Sequence, residues 1–144
     1  MFKKSVDERL SAWSSLRNSL SASADPLGDV CKFWSQAPFI PYNKSIDHYN
    51  PNSWVSPWEI ICENQYDDFT KALMMAWTLK YSKRFQDTHI ELRTYINENK
   101  TTVYNVVVVD NTMVLNFKDE YPVSFESIDN TFLLENLIEI INRP

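Results

Sequence analysis

An α+β fold is what the hydrophobic patterning of these 144 residues predicts. Up to about residue 80 the apolar positions recur at helical spacing. From Thr88 they alternate, and a period of two is that of a half-buried strand. Apolar residues are 44% and aromatics 14% of the chain, enough for one core and too many for a disordered chain. The expected layout is N-terminal helices, a central helix packed on a small antiparallel meander of three to four strands, and a C-terminal helix. The whole is expected as a single domain, with residues 1–37 as a helical arm and residues 56–144 as the α+β core.

The first helix, from about Ser5 to Leu20, carries Val6, Leu10, Trp13, Leu16 and Leu20 on one side and Glu8, Arg9, Arg17 and Asn18 on the other. Asp25-Pro26 supplies a cap and a first-position proline for a second helix with Leu27, Val30, Phe33 and Trp34. Residues 38–55 cross irregularly, with Tyr42, Tyr49 and Trp54 pinning a loop to the surface. Ser56-Pro57-Trp58-Glu59 is a capping box for a short helix ending near Glu63. A longer helix over residues 64–80 follows, striped by Phe69, Leu73, Ala76 and Leu79.

In the alternating region Ile90, Leu92, Thr94 and Ile96 face one way, and His89, Glu91, Arg93 and Tyr95 the other. Asn97 to Lys100 turns into a valine-rich strand from Thr102 to Val109. Asp110-Asn111 is a two-residue hairpin turn without glycine, and Thr112 to Phe117 returns. Tyr121 to Phe125 adds a short strand, and Asn130 to Asn142 reads as a helix through Leu133, Leu134, Leu137, Ile138 and Ile141.

Composition excludes several functions. A net charge of −5 with no basic block argues against direct nucleic-acid binding. No apolar run approaches the roughly 18 residues of a membrane span. The polar start after Lys3-Lys4 is not a secretory signal, so an intracellular product is expected. Gly28 is the single glycine, which rules out phosphate loops and dinucleotide fingerprints and leaves tight turns to Asn and Asp. Two histidines and no Cys-x-x-Cys pair predict neither a metal site nor a cofactor. The adjacent acids Asp67-Asp68 and Asp119-Glu120 read as solvated or capping groups.

Cys31 and Cys62 are expected as buried thiols. Cys62 with His89 or His48 as base is the alternative, hydrolytic or transferase reading, against which stands its place at a helix end whose dipole disfavours a thiolate. Five tryptophans exceed what one small core takes, so Trp13, Trp34, Tyr42, Trp54 and Trp58 are candidate partner-facing aromatics. The acidic surface leaves open a host-directed adaptor that binds a basic partner.

Three motifs over residues 64–117 resemble the transglutaminase-like cysteine proteases, whose fold is papain-like. In that family a helix begins Gly-Asp-Cys-Glu-Asp-Tyr-Ala and supplies the nucleophile. A following strand begins with the base histidine, and the next strand ends on the orienting aspartate. Asn64-Gln65-Tyr66-Asp67-Asp68-Phe69-Thr70 is similar to the first motif, with Tyr66 at the nucleophile position and Asp68-Phe69 retained. Tyr104-Asn105-Val106-Val107-Val108-Val109 is similar to the second, with Tyr104 or, one register on, Asn105 for histidine. Met113-Val114-Leu115-Asn116-Phe117 is similar to the third, with Asn116 for aspartate.

The resemblance thus implies a protease framework without its triad, hence no catalysis. A phenol of pKa about 10 without an imidazole does not replace a thiolate–imidazolium pair. Glu8-Arg9-Leu10-x-Ala12-Trp13, Asp25-Pro26-Leu27, Phe33-Trp34 and Trp54-x-x-Pro57-Trp58-Glu59 are together similar to small virion-associated proteins of large contractile-tailed bacteriophages. That likeness implies a structural part of the neck, tail or head-completion region, assembled in the host cytoplasm with other subunits or copies of itself.

Overall fold

Four helices precede five strands in the computed structural model, which describes residues 1–118 and 120–141. Helix α1 spans Val6–Ser19, and its cap Ser5 accepts from the Glu8 amide. Helix α2 spans Pro26–Trp34 behind Asp25, whose carboxylate accepts from the Gly28 amide. A Cβ on Gly28 would lie 2.0 Å from that carboxylate, so the lone glycine serves this close approach and does not take a positive φ.

Helix α3 spans Pro57–Glu63 behind the expected Ser56–Glu59 box. Helix α4 spans Asp68–Lys80 behind Asp67. It therefore starts four residues later than the expected boundary at residue 64. Asn64 closes α3 in the left-handed region, and Tyr66 forms a parallel bridge with Phe39.

Strands β1 (Ile90–Asn97), β2 (Val103–Val109), β3 (Met113–Leu115), β4 (Val123–Ser124) and β5 (Phe132–Glu139) form one sheet in the order β4-β3-β2-β1-β5. All its pairings are antiparallel. Asp110 and Asn111 both take positive φ, 50° and 54°, as a glycine-free primed turn requires. Asn64, Lys100 and Asn116 are the other described residues at positive φ, so Lys100 departs from the expected use of Asn and Asp.

The helix expected over residues 130–142 is not formed in its described part, residues 130–141, which holds β5 paired along β1. The pairing register shifts between Thr94 and Tyr95, where β5 carries an extra residue, Glu135. Such a bulge resets the in–out alternation. Leu134 and Leu137 therefore share a parity, and the apolar spacing imitates a helix.

One face of the sheet, through Ile90, Leu92, Val107, Val109 and Leu115, packs with α4 and the other helices in a cluster that also holds Phe2, Trp13, Leu20 and Trp34. The other face packs Tyr95, Val106, Val108 and Val114 beneath Phe117, Val123, Phe125 and Phe132. Residues 1–37, expected as a helical arm, contribute Phe2, Trp13, Leu20, Val30, Cys31 and Trp34 to this core. Trp13 and Trp34 are fully buried, and each indole N–H donates to the Thr78 hydroxyl, at 2.8 and 3.0 Å. Their expected partner-facing role is thereby corrected: the surplus indoles are absorbed by one shared internal acceptor. Arg9, on the polar side of α1 by sequence, is also buried and donates to the carbonyls of Lys4, Ile61 and Cys62. No described helix is long and apolar enough to cross a membrane.

Candidate functional site

The start of α4 carries two carboxylates that point apart. Asp67 caps the helix through Thr70 N (2.7 Å), accepts from Asn43 N (3.0 Å) and lies 3.6 Å from His48 Nε2. Burial alone would raise its pKa, but the amides of Thr70 and Asn43 and the nearby imidazole reverse this and hold it at about 2. His48 is stacked on Phe69 with ring centroids 4.0 Å apart. These contacts fasten the 38–55 crossing to the helix.

Asp68 faces the sheet. Its Oδ2 accepts from the Asn105 backbone amide (3.3 Å) and Asn105 Nδ2 (3.0 Å), and its Oδ1 accepts from Asn116 Nδ2 (3.1 Å). Asn116 Nδ2 also donates to the Asn105 carbonyl (2.9 Å), and Asn105 Oδ1 accepts from Thr94 Oγ1 (2.9 Å). The cause is local: β3 ends at Leu115, opposite Val107, so Asn105 lies beyond its ladder. Backbone groups without a strand partner must be satisfied otherwise. Asp68 and Asn116 do so, and Asn116 turns there in the left-handed region, at φ 62°.

The structure thus brings together Asn105 and Asn116 of the sequence candidates, joined by Asp68. Tyr66 and Tyr104 stand apart. The Tyr66 ring packs against Phe2 and Trp34 within the core, and its hydroxyl has no hydrogen-bond partner among the described residues. Burial raises its pKa further above the ordinary phenol value. Tyr104 points to the opposite face of the sheet, against Phe117 and Phe132. Between the two registers open for the second motif, Asn105 is the residue on the α4 side. Asp68 was visible in the sequence as the retained acid of the first motif, but its adjacency to Asp67 disguised it as a solvated group.

A cleft of about 270 Å³ adjoins the cluster, lined by Cys31, Asp68, Lys71, Asn116 and Lys118 among others. Cys31 is buried there, and desolvation pushes its thiol up to about 12, far from a reactive thiolate. Cys62, expected to be buried, is exposed on the last turn of α3. No hydrogen bond joins it to either histidine among the described residues. His89 is engaged elsewhere, 2.9 Å from Glu91 and 3.2 Å from Glu139. Of the candidate binding aromatics, Tyr42 and Trp58 are exposed and Trp54 is half-buried.

No protein-family profile matches the chain, and no curated protein does. Among solved structures, calcium-bound LapG of Legionella pneumophila is similar, with a TM-score of 0.66 and 19% identity over 91% of this chain and 74% of LapG. At that identity the likeness shows the fold: an α+β domain of transglutaminase-like architecture.

Proposed function

We propose that this chain is a non-catalytic transglutaminase-like domain that works by binding protein, as a structural or assembly component. One observation carries the reading. Where the start of the central helix, the second strand and the end of the third converge, the side chains are Asp68, Asn105 and Asn116, and they are committed to one another. The family's chemistry needs a thiolate, an imidazole and a carboxylate there. A carboxylate accepting three hydrogen bonds from two asparagines has no nucleophile to activate and no base beside it. The cluster closes the sheet against the helix.

Calcium, present in LapG, does not carry over. Such an ion takes six to eight oxygen ligands in general, with acidic side chains prominent. Among the described residues no three His, Cys, Asp or Glu side chains converge, and the carboxylates of Asp67 and Asp68 already accept from Asn43, Thr70, Asn105 and Asn116. The resemblance to virion-associated proteins makes a contractile-tailed phage particle the assembly proposed.

The test has two readouts. Purified protein is incubated with unfolded casein and a fluorescent primary amine, with and without calcium, and turnover is followed beside the C31S and C62S variants. No cleavage and no amine incorporation are expected. Activity that disappears in either thiol variant would overturn the non-catalytic reading. Absence of the protein from purified particles, by mass spectrometry, would overturn the virion assignment.

A further inference from the structure

A second concavity lies on the far side of the molecule from the Asp68 cluster's strand β3. It is an apolar groove of about 700 Å³ lined by Trp54, Trp58, Trp77 and Tyr81 and by the consecutive residues 138–141. Ile138 has the helix-facing parity of β5, as does the following Ile140, while Glu139 has the opposite one and meets His89. Ile138 and Glu139 are the last two residues of β5, so the groove borders the end of the strand. Among the described residues β5 is the last strand of the sheet and its backbone pairs with β1 alone, while the Asn136 side chain donates to the His48 carbonyl (3.3 Å).

An unpaired edge of eight residues presents backbone donors and acceptors that only another extended chain satisfies in series. We propose that β5 is a docking edge for an extended segment of a partner protein, which adds a strand antiparallel or parallel to β5 and sends alternate apolar side chains into the Trp54–Trp58–Trp77–Tyr81 groove.

The charge of the edge selects between occupants. β5 carries Glu135 and Glu139, both exposed, and the chain as a whole carries −5. A second copy would bring the same −5 and the same two acids, and like net charges repel on approach. A segment with Lys or Arg between its apolar residues meets Glu139 and is steered by the overall field. Leu133, 44% exposed, extends the helix-side apolar contact along the strand, while Leu134 and Leu137 lie on the other face of the sheet. This rests on the protein-binding reading above and adds where the partner binds and what kind of segment it presents.

The probe is an end-blocked octapeptide of alternating leucine and lysine, titrated by calorimetry and by amide chemical shifts. Saturable one-to-one binding is expected, with shifts concentrated in residues 132–141. W58A is expected to weaken it by about tenfold, as loss of an interface tryptophan does. Methylation of alternate backbone nitrogens of the peptide is expected to abolish binding, since it removes the ladder and leaves the side chains. Replacing lysine by glutamate is expected to weaken binding, and E135Q/E139Q to reduce that preference.

No saturable binding, equal binding of the N-methylated peptide, indifference to W58A, or a β5-mediated homodimer that excludes the peptide would each overturn the proposal. The assay reads binding without turnover, so its failure leaves the non-catalytic reading standing.

Discussion

Replacing Asp68 by alanine separates a structural keystone from a catalytic remnant. The substitution removes the acceptor for the Asn105 amide, for Asn105 Nδ2 and for one of the two bonds of Asn116 Nδ2. Asn116 keeps the Asn105 carbonyl, so its loss is partial. Asn105 is buried, and its two donors are left without an acceptor. A buried donor left unsatisfied costs about 1–3 kcal/mol, reduced here because the bonds lie near the cleft. Loss of an acid from the first helical turn adds a few tenths. The total is about 2–4 kcal/mol, which for a domain of this size lowers Tm by roughly 6–12 °C. D68N, which keeps one acceptor oxygen, is expected to lose about half as much. The assay is thermal unfolding by circular dichroism, with urea titration as a check that the m-value is unchanged. Removing groups from a working active site commonly leaves stability equal or higher. A D68A protein as stable as wild type, or more so, would therefore refute the structural assignment of the cluster.

Three other outcomes are expected. T78V removes the acceptor shared by the Trp13 and Trp34 indoles and should destabilise by about 2–4 kcal/mol, read by urea unfolding, while T78S should be close to neutral. Asp67 is depressed from 3.8 to about 2, so its contribution of about 2 kcal/mol is complete above about pH 5 and disappears as pH falls through 2; D67N should flatten the acid limb of the stability profile in that window. Calcium or a chelator should leave Tm unchanged to within about 1 °C, since an ion bound only by the folded state would raise it with concentration.

What the sequence revealed and concealed follows from the range of each interaction. Caps and turns are written in adjacent residues, so Ser56–Glu59, Asp25-Pro26 and the Asp110-Asn111 turn were legible. So was the change of period that makes the fold α+β. Leu133-Leu134 misled, because a bulge and a helix both place apolar residues side by side, and only pairing with β1 decides between them. Trp13 and Trp34 misled in another way. Their count suggested a surface, but their burial depends on one hydroxyl 65 and 44 residues away in sequence. At the site, the motif framework placed Asn105 and Asn116, while the start of α4 was set by which aspartate caps it. Asn64 and Asp67 are both residue types that cap helices, and Asp67, which caps α4, also accepts from the Asn43 amide across the chain.

The placement of Asp68 at the convergence point has a direct chemical consequence. In a background without Cys31 and Cys62, D68C/N105H/N116D puts a thiol at the first residue of a 13-residue helix, where Asp68 now meets Asn105 and Asn116. Helix N-termini and a neighbouring imidazolium lower thiol pKa values from about 8.5 to roughly 3.5–7.5. At pH 6 the thiolate fraction should rise from below about 1% to at least about 3%, and alkylation by iodoacetamide should speed up about tenfold or more. The matching Y66C/N105H/N116D variant places its thiol before the helix, among Phe2 and Trp34, where burial raises the present phenol. It should resist alkylation while folded, as a buried thiol does. Both variants are compared only where circular dichroism shows a native spectrum. Faster labelling at position 66 than at 68 would refute the placement of the convergence point at Asp68 and favour Tyr66.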